Sequence, residues 1–226
     1  MDGLALEKLS DSLDISRVEI LREETEMLIL QELSQMPLSR EIIFKGGTAL
    51  RLCFQSPRFS KDLDFSQKRS FEFNEFRDFL DKLLRRYPAM TIKDCYKKRL
   101  TVFGLLTLKS DLLSQPISIK IEISTLNYQF KKTDYGLRVC RSETSPFNPL
   151  LYVYSLERIH WEKIKALKTR SQPRDYFDAW LVSQKLGLKV KFPKINMNES
   201  QFKGEISQLL PNYLKNWPKE FLRGEL

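Results

Sequence analysis

Histidine is nearly absent: His160 is the only one in the chain. A histidine-based catalytic triad therefore has little room, and His160 reads as a helix-surface residue or a partly satisfied contact, not a ligand. Cysteine is scarce as well. Cys53, Cys95 and Cys140 are odd in number and have no C-x-x-C spacing. That excludes a disulfide frame and a zinc site and leaves buried or incidental thiols of a reducing cytoplasm. No apolar run approaches the roughly 18 residues that a bilayer span needs. The start, Met1-Asp2-Gly3-Leu4, has no basic stretch followed by an apolar one, so neither membrane contact nor a signal peptide is expected, and the expected location is the cytoplasm. Three motifs are missing too: G-x-x-x-x-G-K-[ST], G-x-G-x-x-G and the protein-kinase set. Their absence argues against P-loop, dinucleotide-binding and kinase chemistry. There is no internal repeat and no low-complexity tract.

What is present is a globular composition: 226 residues, 42% of them hydrophobic, with 15 Phe, enough for one substantial core or two small ones. The net charge is +9, which points to polyanionic partners such as nucleic acid, nucleotides or acidic protein. The bases cluster around Lys93–Arg99, around Lys131–Arg141, and from Lys163 to Arg174. A basic surface that is merely solvated has the same composition, so charge alone does not separate the two.

Hydrophobic periodicity predicts a helix over residues 16–36, with Val18, Ile20, Leu21, Met27, Leu30 and Leu33 inward and Arg22, Glu23, Glu24 and Glu32 largely opposite; Pro37 ends it. A short strand at 42–44 runs into a glycine turn, and a helix follows over 48–54. Residues 61–65 alternate, Leu63 and Phe65 on one face, Asp62 and Asp64 on the other. A helix spans 71–86, and strands are expected at 91–96, 99–109 and 117–125. In the last, Ile117, Ile119, Ile121 and Ile123 face a core while Lys120 and Glu122 face away. From 156 onward the pattern is helical, broken at Pro173 and Gly187. Residues 189–198 read as a loop, and 201–210 and 213–222 as short closing helices. The composition shifts near residue 145, dividing the chain into a mixed α/β part (1–145) and a mostly helical part (146–226).

The chemistry concentrates in Lys45-Gly46-Gly47-Thr48 and in Arg58-Phe59-Ser60-Lys61-Asp62-Leu63-Asp64. Two carboxylates at i and i+2 on a strand point to the same side and repel unless a cation sits between them. Mg²⁺ or Mn²⁺, held by carboxylates and substrate phosphates, is the expected cation. Glu122 is either a third metal carboxylate or a solvated strand residue; both readings stand. The Gly46-Gly47 turn lets backbone N–H groups approach a phosphate, with the Thr48 hydroxyl as a further donor. Together these parts describe nucleotidyl transfer from a nucleoside triphosphate. Arg58 and Ser60 either touch substrate or only fix the loop. Trp161 and Trp180 read as core, and Arg174 and Asp175 as a polar pair at a helix start.

These segments, followed by Glu162-Lys163-Ile164-Lys165-Ala166-Leu167, Arg170 and Arg174-Asp175-Tyr176-Phe177-Asp178, resemble the AbiEii/AbiGii family of nucleotidyltransferase toxins. The likeness spans about residues 42–181, with the pieces in the family's order. It implies a polymerase-β-like nucleotidyltransferase fold of class α/β (α+β), in which a mixed β-sheet core is flanked by helices and followed by a mostly helical C-terminal part. It implies Asp62 and Asp64 as metal ligands, and Lys45, Gly46, Gly47, Thr48, Arg58 and Ser60 around the nucleotide. Lys163 and Asp178 take catalytic or nucleotide-contact positions. It also implies a toxin that transfers nucleotides to the 3′ end of tRNA, with an antitoxin partner. A binding protein without transfer activity, or a transferase acting on a protein hydroxyl, remains compatible with the residues.

Overall fold

The structure is a computed structural model that describes residues 1–170, 172–195 and 197–224. Helix α1 (Gly3–Leu13) opens it, capped by the Asp2 carboxylate, which accepts the Ala5 N–H at 2.7 Å. Helix α2 (Arg17–Ser34) follows, capped by Ser16. Then come β1 (Ile42–Lys45), α3 (Gly46–Phe54), β2 (Asp62–Gln67), α4 (Phe73–Arg86), β3 (Met90–Lys98), β4 (Thr101–Leu108), β5 (Ile117–Ser124), β6 (Tyr135–Val139) and β7 (Leu150–Tyr154). Helices α5 (Leu156–Thr169), α6 (Pro173–Leu186), α7 (Glu199–Ser207) and α8 (Trp217–Arg223) complete the order.

The strands form one mixed sheet of seven, ordered β3-β4-β5-β2-β1-β7-β6. Strand β2 is central, antiparallel to β1 and parallel to β5. Its neighbour β5 buries all four isoleucines, and β2 buries Leu63 and Phe65, as their alternation predicts. Helices α2, α3 and α4 pack their apolar residues onto this sheet in the main core. A second cluster, built from Tyr176, Phe177, Phe202, Leu210 and Trp217, holds α6, α7 and α8 together. The loop expected at 189–198 has no regular structure where it is described; Asn196 lies outside the described residues.

Two sequence expectations are corrected. Helix α1 and strands β6 and β7 were not foreseen. The strands have five residues each, too short for a period to be read, and β7 lies beyond the composition shift near residue 145 yet pairs in parallel with β1. The second correction concerns α2. Its acids do not face water: Glu19, Glu23, Glu26 and Glu32 are all buried, while Val18 is exposed. Glu23 accepts from Arg51 Nε at 2.8 Å and Ser142 Oγ at 2.5 Å, and Glu32 accepts from Arg86 and Tyr87. Helical periodicity assigned these carboxylates to solvent because their partners lie tens of residues away.

Glu26 differs from the others. It is 1% exposed, and neither carboxylate oxygen has a hydrogen-bond partner among the described residues. Burial, then the charge of Glu23, raises its carboxyl well above the ordinary value. A raised native value means that its contribution to stability is full below about pH 4.3 and is lost as pH rises through the native value. Glu26→Met, close in length and apolar, is expected to raise stability at pH 8 by about 1–3 kcal/mol, because an unpartnered buried polar group is removed. The gain should shrink as pH falls toward the ordinary carboxylate range. Urea unfolding at the two pH values checks this; a gain equal at both would contradict it.

Candidate active site

The site is assembled where β1 meets α3. Lys45 ends the strand and Gly46 is already the first helical residue, so the glycine pair is the N-terminus of α3 and not a separate turn. Gly46 sits at φ +84°, and a Cβ there would lie 2.8 Å from Asp64 Oδ2. A Cβ on Gly47 would meet Arg58 Nη2 at 2.3 Å and Ser60 Oγ at 2.8 Å. Both glycines are thus required by close approach, one to the second aspartate and one to the loop before β2. The opening N–H groups of a helix have no intrahelical acceptor and favour an anion. The Thr48 hydroxyl does not add to them: it is buried and donates to the Asp62 carbonyl at 2.5 Å, locking α3 to β2. The donor expected for the phosphate tail is committed to the backbone.

Asp62 and Asp64 are both half-buried on the polar face of β2. Across the sheet, Asp62 pairs in register with Lys120, and Asp64 with Glu122 on one side and Lys45 on the other. Burial, then the Asp62 charge, raises the Asp64 carboxyl above its ordinary value, with Lys120 and Lys45 pulling against them. Lys120 Nζ lies 3.3 Å from Asp62 Oδ2 and 3.7 Å from Glu122 Oε2, a cation already placed between carboxylates. Burial alone would lower the Lys120 ammonium; Asp62, Asp64 and Glu122 together raise it. A same-side acid pair in a cradle that a Gly46 Cβ would fill, with a lysine standing in for positive charge, fits a divalent cation that also binds phosphates. Glu122 does not complete a triad. Among the described residues no three acidic, histidine or cysteine side chains converge as a metal group.

Opposite this wall stands α5. Lys163 is buried, with Nζ 2.6 Å from Asp178 Oδ2 and 3.2 Å from Asp175 Oδ1. Arg58 binds the same Asp178 through Nε and Nη2, both at 2.8 Å, and donates Nη1 to the Phe59 carbonyl. Arg170 grips Asp175 through Nε at 2.8 Å and Nη2 at 2.9 Å. The result is a chain Arg58–Asp178–Lys163–Asp175–Arg170, in which two fully buried carboxylates on α6 hold three cations. Burial would push the Asp178 carboxyl up, but Arg58 and Lys163 outweigh it and hold it at about 2. Asp178 therefore orients Lys163 and Arg58 and is not a proton acceptor near neutral pH. Arg58, 2% exposed, is a positioning residue tied to Asp178. Ser60 stands beside Gly47 at the end of the same loop.

Between the two walls lies a cleft of 360 Å³, lined by Lys45, Gly46, Asp64, Lys163, Ala166 and Arg170 among others. Trp161, expected in the core, is 48% exposed and lines this cleft together with Tyr128. Trp180 does pack in the C-terminal aromatic cluster, against Phe177 and Trp217. His160 Nε2 lies 3.0 Å from Ser183 Oγ and does not line the cleft, and burial lowers its ring below the usual range. The Arg174–Asp175 pair is split: Asp175 turns inward to the lysine network and Arg174 does not. Sequence reasoning missed the roles of Lys120, Arg170 and Asp175. For Lys120 the signal was there, because it alternates with Glu122 on the face of β5 that adjoins β2.

The family model for the AbiEii nucleotidyl transferase toxin of type IV toxin–antitoxin systems matches residues 28–200. The chain belongs to this family. It is a nucleotidyltransferase, and the matched span covers both site walls, from the glycine pair to the α6 carboxylates. Among solved structures, the fold is similar to that of JHP933 from Helicobacter pylori, at 20% identity and TM-score 0.56, covering 91% of this chain and 78% of that one. It is also similar to MenT4, a nucleotidyltransferase toxin from Mycobacterium tuberculosis H37Rv, at 17% identity and TM-score 0.61, covering 90% and 68% respectively. No curated protein sequence matches. Among the described residues no helix is long and apolar enough to cross a membrane.

Proposed function

We propose that this AbiEii-family protein transfers a nucleoside monophosphate from a nucleoside triphosphate to the 3′ end of an RNA, with tRNA as the acceptor, and that it acts in the cytoplasm as a toxin restrained by an antitoxin. The observation that carries this reading is Asp64, with Asp62 two residues before it on the same face of β2, opposite Lys163 in one cleft that Gly46 at the start of α3 also lines. Asp62 and Asp64 would hold Mg²⁺ or Mn²⁺, which when bound supplies neutralising charge to the phosphates. Lys163, aimed by Asp178, stabilises negative charge on the phosphates, and Lys45 and the α3 N–H groups hold the tail. The acceptor hydroxyl forms a bond to the α-phosphorus, and pyrophosphate leaves with the electrons of the broken bond. The net charge of +9 favours a polyanionic acceptor, with binding that weakens as salt rises.

The test is incubation with total tRNA, Mg²⁺ and each α-³²P-labelled nucleoside triphosphate, beside an Asp64→Ala control. Label on tRNA that the control lacks is expected. Label on a protein instead would move the acceptor to a protein hydroxyl; triphosphate binding without any label would leave a binding module.

Trp161 and Tyr128 offer an aromatic wall for the base. Trp161→Ala is expected to weaken triphosphate binding by about 1–3 kcal/mol, the range for loss of a base-stacking partner. The effect should fall on KM more than on kcat. Unchanged triphosphate affinity by calorimetry would remove Trp161 from the site.

A further inference from the structure

A second cleft of 340 Å³ lies between the loop before β2, the start of α6 and the end of α7. Its floor is fixed where the Phe59 N–H donates to the Leu209 carbonyl at 2.8 Å. Ser60 and Lys61, which immediately precede Asp62, line this cleft, whereas the first cleft takes in Asp64 and Phe65. The chain thus passes from the second cleft at Lys61 directly into Asp62, and reaches the first cleft at Asp64.

The lining is cationic and under-used. Arg174 is half-buried yet makes no hydrogen bond or ion pair among the described residues. The side chains of Gln172 and Gln208 are likewise free of hydrogen bonds among the described residues. Lys61 is 45% exposed and reaches Glu19 at 3.2 Å, and Glu205 is the one acid on the rim. A partly buried guanidinium without an anion, flanked by amides and a lysine, is the chemistry of phosphodiester recognition.

We infer that this second cleft is the acceptor subsite, in which Arg174 and Lys61 grip backbone phosphates of the single-stranded RNA end while its terminal hydroxyl reaches the Asp62 side of the carboxylate pair. The inference rests on the transfer reaction proposed above. In-line displacement places nucleophile and leaving group on opposite sides of the phosphorus. With the triphosphate in the first cleft, the acceptor enters from the second. The terminal hydroxyl oxygen bonds to the α-phosphorus as the bond to the bridging oxygen breaks. Its proton passes to water and pyrophosphate departs through the first cleft.

The experiment compares wild type, Arg174→Ala and Arg174→Lys. Binding of total tRNA is measured by fluorescence anisotropy without nucleotide across a salt series, and binding of triphosphate with Mg²⁺ by calorimetry. Arg174→Ala is expected to weaken tRNA binding about tenfold. It should also flatten the log–log salt slope by about 0.7–0.9, the share of one phosphate contact. Arg174→Lys should restore the slope, and triphosphate affinity should stay the same in all three. Unchanged tRNA affinity and slope in Arg174→Ala would overturn the inference. So would a matching loss of triphosphate affinity, which would give the cleft to the nucleotide. A wild-type protein that binds no triphosphate would overturn the transfer reading instead, and the tRNA slope would still decide the cleft.

Discussion

Asp64→Asn should abolish nucleotidyl transfer, lowering kcat by at least about 10³-fold, while the protein folds as before. Asparagine keeps the shape that the Gly46 approach requires but removes one of the two charges that attract a cation to β2. The native carboxyl is already disfavoured by burial and by Asp62, so losing the charge does not destabilise the fold and is expected to leave the melting temperature equal or slightly higher. Label incorporation into acceptor and thermal unfolding, measured on one preparation, check both halves. Transfer within tenfold of wild type in a folded Asp64→Asn protein would remove this residue from the chemistry.

Asp178→Ala is expected to have the largest effect on stability, a loss of about 3–5 kcal/mol, because it leaves Arg58 and Lys163 as buried cations without their shared carboxylate. For a chain of this size that corresponds to a fall in melting temperature of about 6–20 °C. The sign of the pH dependence follows from the depressed native value. Asp178 contributes stability in full above its ordinary value of about 3.9 and loses it as pH falls toward about 2. The amount is about 2–3 kcal/mol. Wild-type stability should therefore decline over that acid window more steeply than that of Asp178→Asn. A melting temperature for Asp178→Ala within about 2 °C of wild type would mean that the network does not hold α5 and α6 against the loop before β2.

The two substitutions separate local from assembled chemistry. Asp64 and Asp62 were legible because a strand alternates with period two, so Leu63 and Phe65 inward put both acids outward whatever the rest of the chain does. The glycine pair was legible because only glycine admits that approach and that φ. The same rule put Lys120 and Glu122 on one face of β5, and the parallel register then sets them beside Asp62 and Asp64.

Other assignments failed for a common reason. The Thr48 hydroxyl was expected as a further donor to phosphate, but it donates to the Asp62 carbonyl, and Glu122, left open between metal ligand and solvated residue, has Lys120 Nζ at 3.7 Å. Trp161 was read as core because aromatic residues at helical spacing usually are, yet it falls on the cleft side of α5. Glu23 and Glu32 of α2 were read as facing away from the core because a helical wheel shows which residues share a face and not what that face meets.

By itself, then, the sequence determined the local backbone and the same-side acid pair, since these depend on neighbours one to four residues apart. It also carried the family likeness, through the order of its motifs. Tertiary structure alone decided that Arg58 and Lys163 share Asp178 across 120 and 15 residues of chain, and that, among the described residues, Glu26 is buried without a hydrogen-bond partner and Arg174 is left unpaired beside a second cleft. Charge partners at such separations are chosen by packing, because only the closed core brings them within hydrogen-bond distance and removes the water that would otherwise serve each of them.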